Sequence, residues 1–206
     1  MRSAGVEVLG GVCEAQAQRL NRAWTFAVAN ARPFVTWKFA TTLDGRSSAL
    51  DGTSRWISSR AARLDAHRLR AECDTILVGT NTVAVDDPEL TVRDDLNRPV
   101  AVQPLRGVMG LRDLAPDRRV FNGRADTVRL RTRNPEQALS ELHGLGRQHV
   151  FLEGGASLAG AFLKADLIDE VVAYVAPMFL GEGAGVVSGL GIATVGDALH
   201  MRVTDV

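Results

Sequence analysis

The chain has 206 residues, of which 24 are Lys or Arg, 24 are Asp or Glu, and 46% are hydrophobic. That length holds one domain with a sizeable core, or one domain plus an appendage. The balanced charge excludes a basic stripe for nucleic acid, so any bound anion must be held by local groups rather than by the field of the whole molecule.

The two cysteines, Cys13 and Cys73, lie far apart and form no Cys-x-x-Cys pair. That pattern points to a reducing compartment and away from a disulfide framework or a structural zinc site. A charged-then-apolar leader and a membrane-spanning apolar run are both missing, so the expectation is a soluble, cytoplasmic protein.

Cys13, Ala17, Leu20, Trp24 and Ala27 recur at helical spacing and predict an amphipathic helix over residues 13–29. It must end before Arg32-Pro33, because the residue ahead of a proline disfavours the helical region. Residues 1–31 thus read as an appended segment. The first strong strand is Phe34 to Ala40, with Val35, Trp37 and Phe39 on one face and Thr36, Lys38 and Ala40 on the other. Leu43-Asp44-Gly45 and Leu50-Asp51-Gly52 are turn signals. Ser58 or Ser59 can cap a helix running to about residue 73. Its apolar stripe is Ala62, Ala66, Leu69 and Cys73, and Arg63, His67 and Arg70 run beside it.

Further strands are predicted at Thr75–Gly79, Leu105–Met109, Thr127–Leu130, His149–Glu153 and Asp169–Val175. Helices are predicted from Pro135, which suits a first helical turn, to Gly144 and from Ala156 to Lys164. Residues 94–104 and 112–126 read as loops, and the glycine-rich 181–197 as irregular. Strands alternating with helices predict an α/β fold with a mostly parallel central sheet flanked by helices.

The most informative loop is Glu153-Gly154-Gly155-Ala156-Ser157-Leu158, between a strand and a helix start. Its glycines let a ligand approach the backbone, and the free N–H groups of the next helix suit a phosphate. On its own the pattern also fits an ordinary tight turn. Glu153 ends an apolar strand, where a carboxylate needs an edge or a partner. Gly79-Thr80-Asn81-Thr82-Val83 is a second strand-to-helix turn, followed by Asp86-Asp87-Pro88 and Leu90-Thr91-Val92-Arg93. Lys38, mid-strand among apolar residues, either reaches outward or lines a site. Arg70 and Arg93 offer the planar fork that suits a phosphate. Trp56 reads as a packing residue, and His67 beside Arg63 as structural rather than as a ligand. The four histidines, His67, His143, His149 and His200, lack metal-ligand spacing, so no metal site is expected.

In order along the chain stand Arg32-Pro33-Phe34-Val35-Thr36-Trp37-Lys38, Thr41-Thr42-Leu43-Asp44-Gly45-Arg46, Ser54-Arg55-Trp56-Ile57, Leu69-Arg70-Ala71, Val78-Gly79-Thr80-Asn81-Thr82-Val83, Asp86-Asp87-Pro88-Glu89-Leu90-Thr91-Val92-Arg93, Leu152-Glu153-Gly154-Gly155 and Val175-Ala176-Pro177. This series resembles the C-terminal reductase domain of the bifunctional riboflavin-biosynthesis deaminase–reductase over roughly residues 32–180. The resemblance implies a dihydrofolate-reductase-like fold and a homodimer. It implies reduction of the ribosyl group of 5-amino-6-(5-phosphoribosylamino)uracil to the ribitylamino product, with NADPH.

By matching position, Ala40, Trp56, Thr82, Asp86 and Gly155, Ala156, Ser157, Leu158, Ala159, Gly160 and Ala161 are expected to contact NADPH. Ser54, Arg70, Leu90, Arg93 and Glu153 are expected to contact substrate, with Lys38 lining the same pocket. Lys38, Asp86 and Glu153 are the candidates for polarising or protonating the sugar, and the sequence does not choose among them. The cofactor supplies the chemistry and the protein supplies orientation.

Three departures accompany the resemblance. A zinc deaminase domain would need His-x-Glu and Pro-Cys-x-x-Cys, and the chain has neither; residues 1–31 instead resemble the tail of such a domain. Residues 32–206 form the reductase domain, and the chain stops at Val206 in what looks like the run into the family's last strand, which a sheet would miss. Gly110-Leu111 stands where the family often has a small polar residue, and Arg112 nearby could take a 2′-phosphate. Two other readings stay open: a non-catalytic or truncated fragment acting as an assembly partner, and a same-fold reductase for another pyrimidine or pterin.

Overall fold

The structure is a computed structural model that describes residues 2–206. The pattern at the N-terminus does not produce one helix. α1 (Glu14–Leu20) and α2 (Arg22–Asn30) are separated at Asn21, whose side chain donates to the Ala17 carbonyl at 2.9 Å and competes with helix continuation. Of the expected apolar stripe only Ala27 is buried; Leu20 and Trp24 are 86% and 55% exposed. α2 is instead fastened by charge. Arg32 pairs with both carboxylate oxygens of Asp169 at 2.8 Å, and Arg22 pairs with Glu170.

The strands are β1 (Phe34–Thr42), β2 (Thr75–Gly79), β3 (Leu105–Met109), β4 (Thr127–Leu130), β5 (His149–Leu152) and β6 (Glu170–Ala176). They form one sheet in the order β4-β3-β2-β5-β1-β6. Every pairing in it is parallel, as the alternation with helices requires. β1 runs two residues further than predicted, and β5 ends one residue earlier. The connecting helices are α3 (Arg60–Ala71), α4 (Thr80–Asp86), α5 (Pro135–Gly144) and α6 (Ala156–Lys164). Ser59 caps α3 by accepting from the Ala62 N–H, and Asn134 caps α5 ahead of Pro135.

Each face of the sheet has its own core. Val35, Trp37, Leu77, Leu139, Leu142, Leu152 and Phe162 pack under α5 and α6. Ile76, Val78, Val83, Leu90, Val108 and Val120 form the other. Arg106, on β3, is fully buried in the middle of this hydrophobic layer. Its guanidinium donates to the carbonyls of Glu89, Asn122 and Ala125 and to Asn122 Oδ1, so one strand residue ties down two loops.

The glycine-rich stretch after β6 is irregular but held. Asp44 accepts from the N–H of Gly181 at 2.6 Å, Arg46 Nε donates to the Gly181 carbonyl, and the Ser188 N–H donates to Ala156. A side chain at Gly160 would place its Cβ 2.0 Å from the Ser188 carbonyl oxygen. Gly160→Ala is therefore expected to push this segment off α6 and destabilise the fold by about 1–3 kcal/mol, read by urea denaturation.

Candidate active site

The reach of β5 determines where the cleft lies. Its last residue, Leu152, is in register with Trp37 on one side and Leu77 on the other. Both neighbours continue, β1 to Thr42 and β2 to Gly79. Past Leu152 the chain bends out of the sheet, although the Glu153 N–H still donates to the Leu77 carbonyl. Lys38, Phe39 and Ala40 thus have β6 on one side and a gap on the other. Such a gap at the carboxyl ends of parallel strands, where strand order reverses, is where α/β folds bind ligands.

Three hollows that share lining residues in turn lie at this end of the sheet. A cleft of about 900 Å³ is lined by Lys38, Arg63, His67, Arg70, Arg93 and Glu153, among others. A smaller one of about 270 Å³ shares Lys38, Trp56 and Glu153 with the first and adds Ala40, Ser54 and Gly155. A third, about 470 Å³, shares Gly155 and Ala156 with the second and is closed by Thr82, Gly110, Arg112 and Arg133. The sequence reading missed Arg133 because nothing marks the short link between β4 and α5 as functional.

Glu153 lines both of the first two hollows, and its partner Arg70 lines the first. Arg70 Nε and Nη2 donate to the two carboxylate oxygens at 2.5 and 2.8 Å, and Nη1 donates to the Thr91 carbonyl at 3.0 Å. Burial pushes the Glu153 carboxyl up, and the Arg70 guanidinium more than offsets it, leaving the group ionised down to about pH 2. Glu153 is therefore a carboxylate at neutral pH and has no proton to give. Lys38 projects from β1 with its Nζ 5.6 Å from the centroid of the Tyr174 ring, and no carboxylate pairs with it among the described residues. Tyr174 itself donates to Asp65 at 2.6 Å, and burial followed by that bond drives its hydroxyl well above the usual phenol range.

Arg93 donates to Glu89 and, through Nη1, to the Asn97 carbonyl at 2.8 Å. Glu89 is a hub, also bound by Asn122 at 2.8 Å, Arg124 at 2.7 Å and Arg119 at 3.3 Å. Leu90 lines the same cleft. Trp56, read from sequence as packing, is 68% exposed, with the guanidinium of Arg63 over its ring at 4.3 Å. Ser157, Leu158 and Ala161 face the third hollow, whereas Ala159 and Gly160 turn into the interior. Asp86 lies outside the three hollows at the end of α4, with an exposed side chain; its backbone carbonyl accepts from Arg55 at 3.0 Å.

The third hollow suits a dinucleotide. Gly155 to Leu158 at the start of α6 line it, a Cβ at Gly155 would meet nothing nearer than Thr82 Oγ1 at 4.0 Å, and Arg112 and Arg133 line it as well. Arg112 is held toward Asn81 Oδ1 at 3.2 Å.

The family model described as RibD C-terminal domain matches residues 33–206. The chain belongs to the RibD C-terminal domain family. It is 46% identical over 207 residues to the riboflavin biosynthesis protein RibD of Mycobacterium tuberculosis (strain H37Rv), covering all of this chain and 60% of that protein. Among solved structures, RibD of Acinetobacter baumannii superposes with a TM-score of 0.89 at 29% identity, covering 99% of this chain and 62% of that one. A Thermotoga maritima diaminohydroxyphosphoribosylaminopyrimidine deaminase/5-amino-6-(5-phosphoribosylamino)uracil reductase gives 0.86 at 28% identity, with 99% and 61% covered. The chain thus spans about three fifths of the length of these relatives. The dihydrofolate-reductase-like fold implied by the sequence is the fold of this RibD C-terminal domain. None of its helices, among the described residues, is long and apolar enough to cross a membrane.

Proposed function

We propose that this RibD C-terminal domain reduces the ribosyl group of 5-amino-6-(5-phosphoribosylamino)uracil to the ribitylamino product, using NADPH, as a cytoplasmic homodimer in riboflavin biosynthesis. The observation that carries the reading is the continuity of the three hollows: Lys38 and Glu153 are shared by the basic cleft and the small hollow, which joins the glycine-lined groove at Gly155. A reducing cofactor and an anionic substrate can then meet at one point. β6, paired among the described residues only with β1 and carrying the exposed Val175, supports a partner subunit at the sheet edge. Residues 1–31 act as a connector.

NADPH, when bound, supplies the hydride. The residues of the chain do the rest. The first N–H groups of α6 and Thr82 would hold the cofactor phosphates, and Arg112 and Arg133 would take a 2′-phosphate. Ala40, Ser54 and Trp56 border the junction. Arg93 and Arg70 present positive charge to the sugar phosphate, and the Arg70–Glu153 pair fixes the floor against which the sugar rests. Lys38 is the donor that polarises or protonates the reacting sugar, because Glu153 is ionised and Asp86 lies outside the hollows.

Removing Arg93 leaves Glu89 still bound by Arg119, Arg124 and Asn122. Arg93→Ala is expected to raise the substrate KM about tenfold or more while Tm stays within about 2 °C. Following NADPH consumption with the phosphorylated substrate checks both the reaction and this effect. No consumption by a folded protein that NADPH stabilises would sink the reading.

A further inference from the structure

His67 belongs to the large cleft but has no part in the reaction as described so far. It sits on α3, four residues after Arg63 and three before Arg70, so all three share one helix face, and all three line the cleft. From other elements it faces Lys38 of β1, Arg93 of the loop after α4, and Glu153 after β5. Nδ1 of the ring is buried with no hydrogen-bond partner, which leaves Nε2 as the nitrogen open to the cleft. An orphaned buried N–H is rarer and costlier than an under-used acceptor, so the proton belongs on Nε2. Burial and then Arg70 hold the ring down to about 4, so it is neutral at pH 7.

A neutral donor among four cations, Lys38, Arg63, Arg70 and Arg93, has a use that a further arginine would not. The fork of Arg70 is already committed to Glu153 and Thr91, and that of Arg93 to Glu89 and Asn97. Lys38 is taken up at the reacting sugar and Arg63 donates to the Ser58 carbonyl, so an anion entering here gains from one more donor that is not spent on the protein and adds no charge repulsion before the anion arrives.

We propose that His67 is a substrate-contact residue, donating through Nε2–H to a phosphate oxygen of the phosphoribosyl group and so setting the preference for phosphorylated over unphosphorylated sugar. This rests on the reading of the cleft as the site for a phosphoribosylated substrate.

The test is calorimetric binding of ribose 5-phosphate and of ribose to the NADPH-loaded protein, in wild type, His67→Leu and His67→Gln. Leucine removes the donor; glutamine keeps an N–H. His67→Leu is expected to weaken ribose 5-phosphate about tenfold or more, and His67→Gln by no more than about threefold, with ribose and NADPH affinities unchanged in both. Equal affinity in wild type and His67→Leu would overturn the proposal, as would equal loss in both variants or no ribose 5-phosphate binding by wild type. The reaction assay is separate. A wild type that binds ribose 5-phosphate but does not turn over the uracil substrate refutes the proposed reaction and leaves the His67 contact standing.

Discussion

Arg70→Ala is expected to destabilise the domain by about 3–5 kcal/mol, on the order of 6–20 °C in Tm for a chain of this size. The reason is what it leaves behind. The side chains of Arg70 and Glu153 are 16% and 13% exposed, and the carboxylate has no other cation in hydrogen-bond contact among the described residues. Removing the arginine strands a buried charge, which costs more than the pair contributes. Arg70→Met combined with Glu153→Leu is expected to regain most of the stability and none of the activity, which separates the structural from the functional part of the pair.

The pH dependence has a definite sign. The folded-state pKa of Glu153 is depressed to about 2 from its ordinary 4.5. Its contribution is therefore fully present above pH 4.5 and drains away as pH falls toward 2. In Arg70→Ala burial is opposed chiefly by the more distant Lys38 and favours the protonated form, so acidification from neutral pH toward 4.5, above the wild-type window, should relieve part of the destabilisation. Denaturation curves at pH 7 and pH 4 distinguish the two behaviours.

The second large effect is on cofactor binding. Gly155 has φ −67° and ψ 173°, a conformation open to any residue, and its missing Cβ points into free space. Neither backbone strain nor packing calls for glycine at this position. Under the proposed function, the close approach of NADPH to the first N–H groups of α6 does. Gly155→Val is expected to leave Tm within about 2 °C while weakening NADPH about 10–100-fold, so that the thermal stabilisation by NADPH disappears. Gly160→Ala, five residues on, should do the reverse: loss of stability, with cofactor affinity spared in the fraction that folds.

How far these features could be read from sequence depends on how local they are. β2, β3, β4, α5 and α6 have the bounds that their caps and breakers mark, as with Asn134-Pro135 at the start of α5. The N-terminal helix was misread because a stripe at helical spacing says nothing about a surface to cover it; Leu20 and Trp24 have none here, and Asn21 interrupts the turn. Strand order was not legible at all. The placement of β5 between β1 and β2 joins segments far apart in the chain, Phe34 with His149 and Thr75 with Val150, and it is this placement that opens the cleft.

Among site residues, Glu153 was legible as a carboxylate in need of a partner. That the partner is Arg70 was not, since both were assigned independently to substrate. The helical spacing of Arg63, His67 and Arg70 was visible, but which face of α3 looks into the cleft is a tertiary fact. Arg106 illustrates the limit: the sequence does not single it out within Leu105–Met109, yet it is fully buried because loop carbonyls converge on it.

The most direct measurement of the central claim follows the hydride. NADPH carrying deuterium on the nicotinamide C4, given to this protein with 5-amino-6-(5-phosphoribosylamino)uracil, should yield a ribitylamino product with deuterium at C1′, and Lys38→Met should abolish the transfer without abolishing NADPH binding. NADPH oxidised with no deuterium in the sugar, or no oxidation by a folded protein that binds both ligands, would contradict it.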